Sequence, residues 1–169
     1  MNAALAQSRE LPSVDSSTFK NAMRRLPGGV AVITSRHADR MNGMTATAVC
    51  SVSADPPLVL AVVNRNSRSH GLIADGEALA INVLSQDQEE TATYFAGQSE
   101  KPFAEVNHRI GVTGCPLLEG CVLSLECSLY AAHDVGTHTL FIGRVVAADA
   151  AEREPLVYHN GTFDRLAKG

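Results

Sequence analysis

The chain has 169 residues, 45% of them apolar and 19% charged, enough for one soluble domain whose core needs neither disulfide staples nor a metal. A net charge of −4 with scattered basic residues excludes an electrostatic footprint for nucleic acid. No apolar stretch approaches the about 20 residues of a spanning helix, and the opening MNAALAQSRELP lacks the basic and apolar regions of a secretory leader, so we expect a cytoplasmic domain over 16–169 behind a flexible tail, 1–15.

Asp15 and Ser16 stand where a helix is capped, and Phe19, Ala22, Met23 and Leu26 recur at i, i+3, i+4, i+7 before Pro27-Gly28-Gly29 end the element. Val30 to Thr34 is a β-branched strand, and Asn42-Gly43 in the polar run after it signals the turn of a β-hairpin. From Met44 to Ser53 the residues alternate, which predicts one strand with Thr45, Thr47, Ser51 and Ser53 on one face and Ala46, Ala48, Cys50 and Val52 on the other. Asp55-Pro56-Pro57 breaks it, Leu58 to Val63 is a short apolar strand, Asn64 to His70 a polar loop, and LIADG a helical turn. Ala78 to Leu84 reads as a further strand, and Ser85 with Gln88 as a capping box for a helix reaching Phe95 and stopping at Gly97.

Lys101 to Gly120 reads as irregular, punctuated by Gly111, Gly114, Pro116 and Gly120. Cys121, Leu123, Leu125, Cys127 and Leu129 then alternate with Ser124, Glu126 and Ser128, predicting a strand buried on one side that makes core of two cysteines. A turn at Asp134 to Gly136 leads into a strand from Thr139 to Val146, and PLVYHNGTFDRL closes with a turn and a short element around Tyr158 and Phe163. Many strands, few short helices and no β-α-β-α alternation predict an antiparallel barrel over a doubly wound sheet.

Cys50, Cys115, Cys121 and Cys127 form no CxxC pair and the histidines no HExxH, so buried thiols are expected rather than disulfides or zinc. GxGxxG, GxxxxGK[ST] and GxSxG are all absent, which removes the commonest nucleotide fingerprints and makes hydrolysis a minor option. What stands out is the hydroxyl face of Thr45, Thr47, Ser51 and Ser53 close to the loop Asn64-Arg65-Asn66-Ser67-Arg68-Ser69-His70. Hydroxyls, backbone amides and arginine together suit the phosphate of a small molecule. The same residues also suit a solvated strand face beside an ordinary wet turn, and residue types alone do not separate the two.

GMTATAVCSVSADPPLVLAVVNRNSRSH, Gly43 to His70, resembles the signature of the small flavin reductases that serve as reductase components of two-component flavin-dependent monooxygenases. The resemblance continues through FKNAMRRLPGGVAVIT, AINVLS with the helix ending YFAG, GCPLLEGCVLSLEC, HDVGTHTLFIGRV and PLVYHNGTF, and so covers Phe19 to Leu166. It implies a mainly β, antiparallel split β-barrel with a few short peripheral helices, a homodimer, and FMN or FAD in a groove near the subunit interface. It also implies an NAD(P)H:flavin oxidoreductase in which NADH or NADPH passes hydride from the nicotinamide C4 to flavin N5, the reduced flavin going to a separate monooxygenase. By the same resemblance Thr45, Ala46 and Thr47 touch the flavin together with Ser51, Val52 and Ser53, while Ser67, Arg68 and Ser69 hold its phosphate end.

Gly136-Thr137-His138 departs from the Gly-Asp-His that many members carry on the nicotinamide side, which leaves His138 as the candidate there or as a turn histidine. The chain has no tryptophan, although members often carry one in the region matching Asn107 to Gly111. Two other functions share these motifs: a flavin-dependent reductase of a corrinoid cobalt, and a flavin-binding module that turns over no nicotinamide.

Overall fold

Alternating small, β-branched and hydroxylated residues put most of the chain into strands. A computed structural model describes residues 11–97 and 102–167; the first ten residues of the expected tail lie outside the described residues. In chain order the elements are α1 (Ser16–Met23), β1 (Gly28–Gly29), β2 (Ala31–His37), β3 (Arg40–Ala46), β4 (Val49–Ala54), β5 (Pro57–Asn64), α2 (Arg68–Gly76), β6 (Ala78–Val83) and α3 (Glu89–Ala96). A 3₁₀ turn (Phe103–Glu105), β7 (His108–Ile110), β8 (Pro116–Leu118), β9 (Leu123–Val135), β10 (His138–Ala150), β11 (Leu156–His159) and β12 (Thr162–Arg165) follow. No helix among the described residues is long and apolar enough to cross a membrane.

Seven strands form one antiparallel sheet in the order β3-β2-β6-β9-β10-β5-β4, beside a three-stranded sheet β1-β11-β12 and the β7-β8 hairpin. β3 and β4 stand at opposite edges of that order, yet Thr47 and Ala48 alone separate them in the chain. Three residue steps reach no further than about 11 Å, so the sheet must curl until its edges meet at that connection. No ladder joins β3 to β4 among the described residues, and the curled wall stays split there. The fold is thus antiparallel and mainly β with three short helices, as expected.

The apolar run Val30 to Ile33 is continuous because both faces of β2 are covered. Ala31 and Ile33 join Val63, Ile73, Leu79, Ile81, Cys127 and Phe141 in one core cluster. Val30 and Val32 join Leu84, Phe95, Phe103 and Leu156 in another. Truncating Leu79 or Ile81, both 0% exposed, to alanine costs about 2–5 kcal/mol in lost transfer energy and cavity.

Several local expectations yield to tertiary contacts. The hairpin after β2 turns at Ala38-Asp39, with His37 opposite Arg40 and Ala38 at φ 51°, and Asn42-Gly43 lies inside β3. The reason is packing: the Asn42 amide donates to Ser69 Oγ at 2.8 Å, and a Cβ on Gly43 would stand 2.6 Å from the Phe95 ring. Met44 to Ser53 is two strands, because at Thr47-Ala48 the chain passes from one sheet edge to the other. Within β4, Ser51 faces Val59 and Ser53 faces Leu58, so Val52 is an inserted bulge that interrupts the alternation.

Helix α2 begins at Arg68, four residues before LIADG, because Ser67 caps it by accepting from the His70 amide at 3.3 Å. Gln88 reaches back to the Ser85 amide at 3.0 Å, but α3 starts beyond it and Gln88 itself occupies the cap position, its side chain bonding none of the helix's own amides. The irregular stretch before Gly120 contains the β7-β8 hairpin. β9 lies inside the seven-stranded sheet and its first half is covered on both faces, so Ser124 and Glu126, expected on a wet side, are 8% and 4% exposed. Thr113 satisfies Glu126 through its amide and hydroxyl, both at 2.9 Å. Cys115, Cys121 and Cys127 are buried as expected, whereas Cys50 on β4 is exposed.

Candidate functional site

A cleft of about 500 Å³ opens between β3, the β5-α2 connection and the end of α3. One wall carries Asn42, Gly43, Met44 and Thr45, the other Asn64, Asn66, Ser67 and Arg68, with Phe95, Ala96 and Gly97 at the end. The polar wall follows from short-range chemistry. Asn64 Oδ1 accepts from the Asn66 amide at 2.8 Å and closes an Asx turn. Ser67 then caps α2, and its first turn points unsatisfied amides outward.

Arg68, the first residue of α2, is exposed and has no ion pair among the described residues. It also lines a neighbouring cleft of about 650 Å³ with Arg40, Met41, Leu72 and Phe103. Arg65, three residues earlier, is paired with Asp134 at 3.6 Å. Of the two arginines in the loop, Arg68 is therefore the one available to an anion.

The other expected site residues divide by place. Thr45 lines the cleft, and its hydroxyl donates to the Ala92 carbonyl at 2.6 Å, tying β3 to α3. Ala46 ends β3 opposite Ala31, and Thr47 is exposed close beside Gly28. Ser69 is 0% exposed and accepts from Asn42, so it faces inward rather than into the cleft. Ser51 and Val52 are exposed on β4, away from the residues lining this cleft, and the Ser53 hydroxyl donates to the Asp55 carbonyl at 3.1 Å. His138 starts β10 directly across from Asn64, at the cleft end of the sheet. Its Nδ1 lies 2.9 Å from the Thr137 hydroxyl.

A chain of polar contacts beside the cleft escaped the sequence. His70 Nε2 is 2.8 Å from Thr139 Oγ1, and Thr139 Oγ1 donates to Asp134 Oδ1 at 2.5 Å. Since the one hydroxyl proton goes to the carboxylate, His70 Nε2 is the donor in the first contact. The Thr139 hydroxyl, then the Arg65 and His70 charges, hold the Asp134 carboxyl below its ordinary value. The order of groups is wrong for a nucleophile, because the histidine does not lie between hydroxyl and carboxylate and Thr139 is 2% exposed. No local pattern announces this chain: its members come from two segments of the sequence more than sixty residues apart.

Nor do the thiols offer a nucleophile from the interior. Burial pushes Cys121 up to about 11 and Cys127 up to about 12, and it raises Cys115 as well. No group of three or more His, Cys, Asp or Glu that could hold a metal occurs among the described residues.

Comparison with known proteins places this arrangement in a family. The chain is 37% identical over 153 residues to the reductase component of 4-hydroxyphenylacetate 3-monooxygenase from Pseudomonas aeruginosa, covering 88% of this chain and 90% of that one. It is 35% identical over 158 residues to an NADH-dependent flavin reductase of a Rhodococcus species, covering 92% and 89%. Its fold matches the NADH:FAD oxidoreductase of Streptomyces globisporus, solved with NAD and FAD fragments, at a TM-score of 0.86 and 34% identity over 90% of this chain and 93% of that one. With the family model for the flavin reductase like domain matching residues 23–167, the chain belongs to the flavin reductase family.

Proposed function

We propose that this protein is an NAD(P)H-dependent flavin reductase that supplies reduced flavin to a separate flavin-dependent monooxygenase. The observation that carries the assignment at the site is Arg68: an unpaired guanidinium at the start of a helix, facing a cleft whose opposite wall is the Gly43 to Thr45 edge. Cation, helix start and capped turn fit a phosphate.

Bound flavin, FMN or FAD, supplies the hydride acceptor, and NADH or NADPH the donor. The chain's own residues bind and orient. Ser67 and Arg68 hold the phosphate end, with Ser69 acting one step back through Asn42. Thr45 has given its proton to Ala92, so toward a ligand it acts as an acceptor; Ala46 and Thr47 extend that edge. Ser51, Val52 and Ser53, on β4 outside this cleft, would meet a bound ring only near the β3-β4 connection, which brings the two edges together. His138 keeps Nδ1 on Thr137 and has Nε2 without a partner among the described residues, which suits it to the nicotinamide side. Hydride transfer between two stacked rings needs no protein nucleophile.

A homodimer is part of this proposal. Helix α1 buries none of its residues, and Phe19, Met23 and Leu26 are 55%, 46% and 69% exposed. An apolar face of that kind is covered by a second copy in a small chain of zero mean hydropathy. Four free thiols and a need for reduced nicotinamide accord with the cytoplasm.

The test is steady-state oxidation of NADH and NADPH with FMN or FAD added, alongside sedimentation. Flavin-dependent turnover by a dimer is expected. Flavin binding without turnover would instead make the chain a binding module, and turnover that requires a corrinoid acceptor would change the substrate.

A further inference from the structure

The three residues that open α2 point to three different places. Arg68 is exposed at the cleft, Ser69 accepts from Asn42 on β3, and His70 donates to Thr139 on β10. The helix start is thereby held on both sides. The β10 side is the more elaborate: Thr139 is buried, receives His70 at 2.8 Å and passes its own proton to Asp134 at 2.5 Å. Asp134 in turn pairs with Arg65, whose amide donates to the Thr137 carbonyl at 3.1 Å. Residues 65 and 70 thus flank Ser67 and Arg68, and residues 134 and 139 flank the turn that carries His138. The His70 ring also rests on Phe141, with centroids 5.2 Å apart, which fixes its plane.

We propose that Thr139 is a positioning residue for hydride transfer: through His70 on one side and Asp134 on the other it sets the distance between Arg68, at the flavin phosphate, and His138, at the nicotinamide. This rests on the flavin reductase assignment. Thr139 touches neither ligand. Its hydroxyl joins the helix start to the β9-β10 turn, which are otherwise linked by the pairing of the ends of β5 and β10 and by the half-exposed Arg65–Asp134 ion pair. A hydroxyl is needed because the junction must accept from a ring N–H and donate to a carboxylate at the same time, and a one-donor, two-acceptor group does both.

Thr139→Val keeps the shape and removes both bonds, and Thr139→Ser restores them. In Thr139→Val we expect the flavin dissociation constant and the KM for NADH each to rise by about tenfold and kcat to fall by about tenfold, since the bound ligands are misplaced relative to each other although the reacting groups are intact. Thr139→Ser returns both constants to within about twofold of wild type. In the ligand-free protein, amide exchange at Arg65 and His70 quickens in Thr139→Val and recovers in Thr139→Ser.

Wild-type flavin affinity and NADH dependence in Thr139→Val overturns the proposal, as does a variant whose one change is a lower melting temperature, or a serine that fails to rescue. A wild-type chain that does not reduce flavin with NADH overturns the functional assignment instead. Exchange at Arg65 and His70 then still decides whether the tether exists, and unchanged exchange refutes it.

Discussion

The alternating segment Met44 to Ser53 supplies the end of β3 and most of β4, which are two residues apart in the chain but stand at opposite edges of the seven-stranded sheet. On β3 Gly43 faces the Phe95 ring, Thr45 bonds to Ala92, and Asn42 bonds to Ser69. On β4 Cys50 and Ser51 are exposed, and Val52 bulges out at 49% exposure. The contrast teaches that alternation marks a strand with two different faces but does not say what each face meets. β3 is built against α3 and α2, whereas β4 keeps an open face.

The largest break of this comparison comes from placing an alanine on each edge. Gly43→Ala sets a Cβ 2.6 Å from the buried Phe95 ring and is expected to cost about 1–3 kcal/mol of stability, as overpacking does. Ser51→Ala on β4 should stay within about 0.5 kcal/mol. Urea melts of both variants check this, and equal losses would end the distinction between a built edge and an open one.

Next in size is the contrast between the arginines that flank the cap of α2. Arg68→Ala is expected to raise the flavin dissociation constant by about tenfold, the loss of one charge-assisted contact. Arg65→Ala should change it by less than about threefold, because an ion pair with both side chains about half exposed contributes little. Flavin titrations with equal effects for the two would remove Arg68 from the phosphate end.

A smaller effect sharpens the role of the β9-β10 turn. Asp134 is held below its ordinary value by Thr139, Arg65 and His70, so its contribution is fully present above the ordinary carboxylate range and is lost as pH falls through the lowered native value. The melting difference between wild type and Thr139→Val should therefore be constant above about pH 5 and shrink in acid. A difference that grows in acid would mean the carboxylate is not the acceptor. The mildest probe is chemical: one thiol per folded chain, Cys50, should react with a thiol reagent, and four after denaturation. Fast reaction of Cys127, whose burial holds it up to about 12, would contradict its place inside β9.

Much of this molecule was legible residue by residue. The Asp15 cap of α1, the strands β5 and β6, the stop of α3 at Gly97 and the antiparallel character all follow from rules that act over a few neighbouring residues: capping, alternation and the backbone limits of proline and glycine. The motifs between Gly43 and His70 carried the family, and they contain Thr45, Ser67 and Arg68, which the fold brings to one cleft. What tertiary structure decided is which strands become edges, that Asn42-Gly43 extends a strand instead of turning it, that Ser69 faces inward, and that His70 meets Thr139 and Asp134. Each of these depends on a partner far away in the chain. Local preferences differ by about 1 kcal/mol or less per residue, and burying a phenylalanine ring or satisfying a buried hydroxyl outweighs them.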